Sequence, residues 1–266
     1  TKAAKLILKR NDVDVNLLNK QGKNALHVAI QQGNLEIVSE LLLKKDIDVF
    51  AEGDLGDNTK AGPLNLALLA REECGKKGDN SEVYTQIARV LLDYNEHVGN
   101  GGGKQIPPLV FAVYHKRLAM FETLLNEPSV DVNAAIVPEL KGEGETPLYV
   151  ACMEDNLAMV QLLLTKRAKK ACKAGMNTID INKAKNSGAT PLFIACQYAS
   201  PAIVELLLSM EGIDVYKSMN TGETPFYIAS CSGNIEKMRM MLERALEHLN
   251  SERDDGRNSF FIACAS

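Results

Sequence analysis

Cysteine and histidine are among the residues of this chain that could act as a nucleophile, a general base or a metal ligand. Cys74 and His97 come nearest to a thiol and base pair, but no flanking signature of a cysteine enzyme accompanies them. The four histidines are scattered and no Cys-x-x-Cys pair occurs, which argues against a structural zinc site. The sequence therefore predicts no catalytic residue, no metal site and no enzyme activity.

A glycine-rich stretch at 99–104 resembles the phosphate-binding loop of nucleotide-binding proteins. Such a loop needs a glycine five residues before its last glycine, and Ser or Thr after its lysine. Here Val98 stands at the first of these positions and Gln105 at the second. A flexible loop tip is the better interpretation, and no cofactor is expected.

Five cations are concentrated in one eight-residue run: Lys166, Arg167, Lys169, Lys170 and Lys173. This run could bind an acidic protein, a phosphate or a nucleic acid, or act as a nuclear-import signal. Exposed charge runs are more often solvated, and the preceding stretch carries Glu139, Glu143 and Glu145. Intramolecular charge pairing or a solvated helix extension is therefore the favoured interpretation.

The overall charge gives no general attraction to nucleic acids or anionic membranes. Thirty basic residues against thirty-four acidic ones leave a formal net charge of -4. No apolar run approaches the roughly 20 residues that span a bilayer, and residues 1–5 lack the apolar core of a signal peptide. We expect neither a nucleic acid nor a membrane as a partner.

One nine-residue motif recurs along the chain and organises it. It reads Gly-Ala-Thr-Pro-Leu-Phe-Ile-Ala-Cys from Gly188 and returns from Gly22, Gly144 and Gly222, with weaker copies that end at Ala67, Ala112 and Ala263. The threonine can cap a helix whose first residue is the proline, since a first turn loses nothing when an amide hydrogen is missing. A helix is therefore predicted to begin at each copy.

A second, leucine-rich helix and an extended Asp-Val-Asn step follow the motif. Leu35–Leu42 shows the helical spacing, and Asp131–Asn133 shows the step. Together with the Thr-Pro-Leu-x-x-Ala motif, these features resemble ankyrin repeats of about 33 residues. The resemblance covers the whole chain. It implies an all-α ankyrin-repeat solenoid of stacked helix-turn-helix units with short β-hairpin loops.

The repeat boundaries are set by the asparagine position of the exit step. They predict a single array over 1–266, with a partial repeat at 1–15 and another at 250–266. The complete repeats, numbered 1 to 6 below, are 16–49, 50–98, 99–132, 133–181, 182–215 and 216–249. Repeats 2 and 4 exceed the others by 15 residues. We expect this surplus to form a loop at 71–81 and a break in the helical periodicity at 164–181.

The resemblance also implies where a partner would bind. Ankyrin proteins usually bind partners in a concave groove lined by hairpin tips and by the exposed positions of the first helices. The groove positions are Tyr114, His115, Met153, Glu154, Gln197 and Tyr198, and the tip positions include Lys23, Glu223 and Arg257. Tyr and Met are common interface anchors. The alternatives are that these side chains pack under neighbouring inserts, and that the tip charges are merely solvated.

The cysteines bear on the compartment. Cys152, Cys196 and Cys264 each follow the motif alanine, a position we expect to be buried. Successive copies of one helix stack about 8 to 10 Å apart, which is too far for a disulfide. We therefore expect an intracellular, cytoplasmic protein with reduced thiols, with the nucleus as an alternative, or the host cytosol for a secreted effector.

The function implied by the resemblance is that of a scaffold that binds another protein through the groove and the hairpin fingers, as a monomer and without catalysis. Both partial repeats look cut, so we also expect the chain to be a segment of a longer protein. The alternative is the substrate-recruiting or regulatory arm of a larger enzyme or bacterial effector, with the catalytic domain outside this segment.

Overall fold

The computed structural model describes residues 2–10, 12–55, 60–77, 81–97, 106–137, 142–170 and 178–249. Over these residues the chain forms thirteen α-helices and one antiparallel pair of two-residue strands, which confirms the predicted all-α fold. The strands are β1 (Gly53–Asp54) and β2 (Lys60–Ala61). The helices are α1 (Lys2–Leu8), α2 (Ala25–Gln31), α3 (Leu35–Leu42), α4 (Pro63–Lys77), α5 (Ser81–His97), α6 (Pro108–Tyr114), α7 (Leu118–Asn126), α8 (Pro147–Met153), α9 (Leu157–Lys170), α10 (Pro191–Tyr198), α11 (Pro201–Leu208), α12 (Pro225–Cys231) and α13 (Ile235–Leu249).

The motif starts helices for the reason its residues predict. The hydroxyls of Thr146, Thr190 and Thr224 accept the backbone N–H three residues ahead, at 3.2, 3.1 and 3.2 Å. A proline follows each threonine as the first helical residue. These contacts satisfy an amide that the first helical turn would otherwise leave without a partner.

The helices come in pairs, one pair to each of the repeats 1 to 6. Within a pair the two helices pack against each other, as α8 does with α9 and α10 with α11. The first helices α2, α6, α8 and α10 bury most of their residues, whereas α12 buries only Pro225 and Ala229. The second helices bury one face, which in α11 is Ile203, Val204, Leu207 and Leu208. Burying one such aliphatic side chain contributes about 1.5–3 kcal/mol, so the apolar face of the second helix holds it to its own pair.

The chain divides into two compact units. Unit 1 comprises Thr1–Val130 with Val137–Lys141, and unit 2 comprises Asp131–Ile136 with Gly142–Ser266. In unit 1, α2 packs on α4 and α3 packs on α5. In unit 2, α8, α10 and α12 form one row, and α9, α11 and α13 form a second. First helices therefore stack on first helices, and second helices on second helices.

Asparagines at the exit steps join one repeat to the next. The Asn182 side chain accepts the Asp214 amide at 2.9 Å and donates to the Gly212 carbonyl at 2.7 Å. Asn133 does the same with Asp180 and Thr178, at 2.8 and 2.7 Å. Each amide side chain thus replaces two backbone partners of the following step and fixes the spacing of consecutive repeats.

The prediction of a loop at 71–81 is wrong for most of this stretch. Arg71 to Lys77 continue α4, and α5 begins at Ser81. Arg71 donates to the Thr85 hydroxyl at 2.8 Å, and Glu72 pairs with Arg117 at 3.9 Å, so this extension is attached to neighbouring helices. It also leaves Cys74 half-buried rather than exposed. The surplus of repeat 2 therefore lengthens two packed helices.

His27 ties the start of α2 to the strand pair. Its Nδ1 lies 2.7 Å from Asn24 Oδ1, and its Nε2 lies 3.3 Å from the Ala61 carbonyl. The ring is completely buried, and this burial lowers the pKa of His27 below its ordinary value. The neutral ring is therefore part of the folded state of unit 1.

We expect the stability of unit 1 to fall in mild acid because of His27. With a depressed pKa in the folded state, the unfolded chain binds more protons just below the ordinary histidine pKa near 6.5, so stability drops as pH falls through that value. His27→Gln keeps a helix-capping side chain and removes the titration. Urea unfolding at pH 7.5 and 5.5 should show a smaller acid loss in His27→Gln than in wild type. An identical loss in both proteins would contradict this assignment.

Candidate protein-binding surfaces

The buried cysteines offer no reactive nucleophile. Cys152 and Cys196 are free and inaccessible to solvent. Burial raises the pKa of Cys196 to about 12 and also raises the pKa of Cys152, so neither thiol ionises near neutral pH. Within the described residues, no cluster of three or more His, Cys, Asp and Glu side chains could hold a metal ion. In the same part of the chain, no helix has the length and apolar character that crossing a membrane requires.

Unit 1 presents two of the predicted groove residues at the end of α6. Tyr114 is the last residue of this helix and is 38% exposed. His115 caps the helix, and its ring lies 4.2 Å from that of Phe111, measured between centroids. Partial burial lowers the pKa of His115, with a further contribution from Arg117. A tyrosine and a neutral imidazole therefore lie side by side at this helix end.

Unit 2 brings four predicted groove residues together at the ends of two packed helices. Met153 and Glu154 end and cap α8, while Gln197 and Tyr198 lie at the end of α10. Met153 and Gln197 are half-buried and Glu154 is exposed, whereas Tyr198 exposes 61% of its surface. We call these four residues the α8–α10 surface. It combines one large exposed ring with a thioether, an amide and a carboxylate.

The layer beneath this surface is fully packed. Leu148, Val150 and Cys152 of α8 and Leu192 and Cys196 of α10 have almost no solvent exposure. Side chains in such a core occupy fixed rotamers at near-crystalline packing density. The α8–α10 surface therefore rests on a rigid base.

The hairpin tips of unit 2 are joined to one another. Asn220 donates its backbone and side-chain N–H groups to Ser187 and Asn186, both at 2.8 Å. Glu143 forms an ion pair with Lys185, which lowers the pKa of Glu143. The Lys185 ammonium also lies 5.8 Å from the centre of the Tyr149 ring. Contacts between adjacent fingers thus hold this edge of unit 2 in place.

The remaining predicted tip and basic residues have mixed placements. Glu223 is half-buried and accepts the Thr221 hydroxyl, which lowers the pKa of Glu223. Lys23 is half-buried in unit 1. Lys166, Arg167, Lys169 and Lys170 fall in the last turns of α9, while Lys173 and Arg257 lie outside the described residues. The structure places the described part of the basic run on a helix extension, and the described partner of Glu143 is Lys185 rather than this run.

Sequence reasoning missed one charged residue of unit 2. Lys237 is only 4% exposed, in the first turn of α13. The equivalent positions in other second helices hold apolar residues, namely Ile37, Met120, Met159 and Ile203. A lysine at a position that is otherwise apolar was the signal in the sequence.

Comparison with known proteins finds a matching family model and similar proteins. The family model for ankyrin repeats (3 copies) matches residues 1–77 and 109–219, which is more than half of the chain. A human cation channel, transient receptor potential cation channel subfamily A member 1, is 27% identical over 150 residues, 56% of this chain and 11% of the channel. An ankyrin repeat protein of Fowlpox virus (strain NVSL) is 30% identical over 120 residues, 45% of this chain and 24% of the viral protein. The chain thus spans no more than about a quarter of either relative.

A solved structure has the same fold. The crystal structure of EF0377, an ankyrin repeat protein, aligns with a TM-score of 0.50 at 21% sequence identity, over 87% of this chain and 98% of that one. At this identity the likeness concerns the fold alone.

Proposed function

The chain belongs to the ankyrin-repeat family, and we propose that it binds another protein through the α8–α10 surface of unit 2. The ankyrin-repeat fold is generally a module for protein–protein interaction and is typically non-catalytic. The observation that carries the proposal is Tyr198, which exposes 61% of its surface at the end of a helix that is buried from Pro191 to Cys196. We propose that the protein acts as a monomer in the cytoplasm, where its thiols stay reduced.

The residue types of the α8–α10 surface support this proposal. A tyrosine supplies a large contact area and a hydrogen-bonding hydroxyl, yet only two side-chain torsions become fixed on binding. Met153 can adapt its shape to an apolar partner side chain. Glu154 and Gln197 supply an acceptor and an amide close to this apolar centre. Such a centre with polar neighbours is the usual anatomy of a protein interface.

The hairpin tips and unit 1 extend the proposal. Lys23 and Glu223 are proposed as secondary contacts at the tips, together with Arg257. Tyr114 and His115 form the candidate contact of unit 1. The basic run at 166–173 is the competing site, since it could attract an acidic partner through charge alone. Rim charges of this kind mainly change the association rate and its salt dependence.

Site-specific photocrosslinking tests the proposal. A photoreactive phenylalanine analogue at position 198 should capture a partner protein in cell extract, and the same analogue at Glu205, an exposed residue of α11, should not. Crosslinking that is equally strong at both positions would mean that the α8–α10 surface is not the site.

A second function has one observation in its favour. Both curated relatives are several times longer than the stretch that matches this chain. We propose as the alternative that the array recruits substrates for a larger enzyme or effector, or regulates it. A captured partner that becomes chemically modified only when the array is joined to its natural flanking sequence would favour this alternative.

A further inference from the structure

The turn that follows α10 differs from the other turns between paired helices. α10 has eight residues, whereas α2, α6, α8 and α12 have seven each. As a result, Tyr198 is the last helical residue, while the equivalent Gln32, His115, Glu154 and Ser232 are caps. The two residues after Tyr198 are extended, with ψ values of 164° at Ala199 and 155° at Ser200.

Three other repeats close this turn with their own backbone. In repeats 1, 3 and 4 a residue with positive φ is followed by an amide that donates to the motif alanine five residues earlier. In repeat 4 the residue is Asp155, with φ of 50°, and the Asn156 amide donates to the Ala151 carbonyl at 2.9 Å. This local bond satisfies a carbonyl at the helix end.

Repeat 5 lacks this closure. Ala199, at the position of Asp155, is extended with φ of -79° and ψ of 164°, so the Ser200 amide is directed away from the Ala195 carbonyl, and Ser200 is itself extended before Pro201. The Ala195 carbonyl accepts the Ala199 amide at 3.0 Å instead. Without partners from elsewhere, the Ser200 amide and the Cys196 carbonyl at the end of α10 would lack a hydrogen bond.

The two neighbouring repeats supply the missing partners. The Ser200 amide donates to Oδ1 of Asp155, from repeat 4, at 2.7 Å. The ammonium of Lys237, from repeat 6, donates to the Ala195 carbonyl at 3.3 Å and to the Cys196 carbonyl at 3.0 Å. A carboxylate thus holds the amide of the turn, and a cation holds the negative end of the α10 dipole.

The buried position of Lys237 carries a desolvation cost for its ammonium group. Burial lowers its pKa, while Cys196 and Asp155 act in the opposite direction. An apolar side chain, as in the second helices of other repeats, would avoid the desolvation of an ammonium group. Because its two acceptors are carbonyls at the end of α10, directly before the unusual turn, the lysine is explained by that helix end rather than by the packing of α13.

We propose that Asp155 and Lys237 are positioning residues that hold the 198–201 turn in its extended form and thereby fix the direction of Tyr198 at the α8–α10 surface. This inference rests on the proposed function only in that Tyr198 contacts the partner. The contacts of Asp155 and Lys237 that stabilise the turn are present in the free protein. It can be tested without any partner, so a failure of the turn inference can be told apart from a failure of the binding proposal.

The test compares single-residue amide exchange, measured by NMR, in matched variants of the whole chain. Lys237→Met and Asp155→Gly should each speed exchange of the Ser200 amide by about tenfold or more, because each removes one of the two contacts that stabilise the extended turn. Asp155→Asn keeps an acceptor and tolerates positive φ, so it should stay within about threefold of wild type. Lys217→Met is the control, since Lys217 also reaches back to the previous repeat and donates to the Asn182 carbonyl at 2.9 Å.

The side chain of Tyr198 gives a second readout. In protein labelled with fluorotyrosine, the Tyr198 fluorine resonance should shift and broaden in Lys237→Met but not in Lys217→Met. Unchanged exchange and an unchanged resonance in Lys237→Met would overturn the inference, and so would equal effects of Lys237→Met and Lys217→Met. If Lys237→Met does not fold, Asp155→Gly against Asp155→Asn decides by the same two readouts. Equal exchange in that second pair would also overturn the inference.

Discussion

Tyr198→Ala is expected to weaken partner binding by about 1–4 kcal/mol, which is the usual loss when a tyrosine anchor is truncated. The exposed ring is the largest contact that unit 2 offers at the end of α10, and its removal leaves Met153 and Gln197 without an anchor beside them. The free protein should lose little stability, since most of the ring is in solvent. Calorimetric titration with the captured partner, together with a thermal melt of the variant, measures both effects.

Two further variants separate this site from its competitors. Tyr114→Ala changes the corresponding surface of unit 1, and Lys170→Ala removes one charge of the basic run. We expect Lys170→Ala to cost less than Tyr198→Ala and to act mainly on the salt dependence of binding. If Tyr198→Ala and Tyr114→Ala bind normally while neutralisation of 166–173 abolishes binding, the basic run is the site and the α8–α10 surface is not.

The sequence predicts well those features that depend on short-range pattern. A threonine followed by proline predicts a capped helix start from local chemistry alone, and Thr146, Thr190 and Thr224 behave accordingly. The burial of Cys152 and Cys196 follows from their shared position after the motif alanine. In each of these cases one repeat contains all the information that the prediction requires.

Features that depend on two repeats at once were not predicted. The stretch 71–77 looks like a loop when it is measured against the repeat length, yet its Arg71 and Glu72 bond to neighbouring helices, and the helix continues. The position of Lys237 is apolar in other repeats, but the sequence does not show that its ammonium bonds the α10 carbonyls. In both cases a partner more than ten residues away decides the conformation, and a periodic pattern carries no information about such a partner.

Replacement of a hairpin glycine should reveal how closely consecutive fingers approach. Gly188 and Gly222 occupy the same motif position with similar backbone angles, φ of 88° and 99°. A β-carbon at Gly188 would lie 2.7 Å from the Asn220 backbone nitrogen and 2.9 Å from the Met219 α-carbon, whereas a β-carbon at Gly222 would meet none of the described residues within 4 Å. The two glycines therefore form a matched pair that differs in the described atoms of the neighbouring finger.

We expect Gly188→Ala to destabilise unit 2 by about 1–3 kcal/mol more than Gly222→Ala. Both variants force alanine to a positive φ, at a cost of about 1–3 kcal/mol each. Gly188→Ala must also push back Met219 and Asn220 of the next finger, a clash that no described residue makes with Gly222→Ala, and overpacking against rigid atoms adds about 1–3 kcal/mol. The displaced Asn220 would then lose its two bonds to residues 186 and 187. Free energies of unfolding from urea titrations, compared at equal slope, give the difference. Equal losses in the two variants would mean that the fingers separate without cost and do not fix the register of repeats 5 and 6.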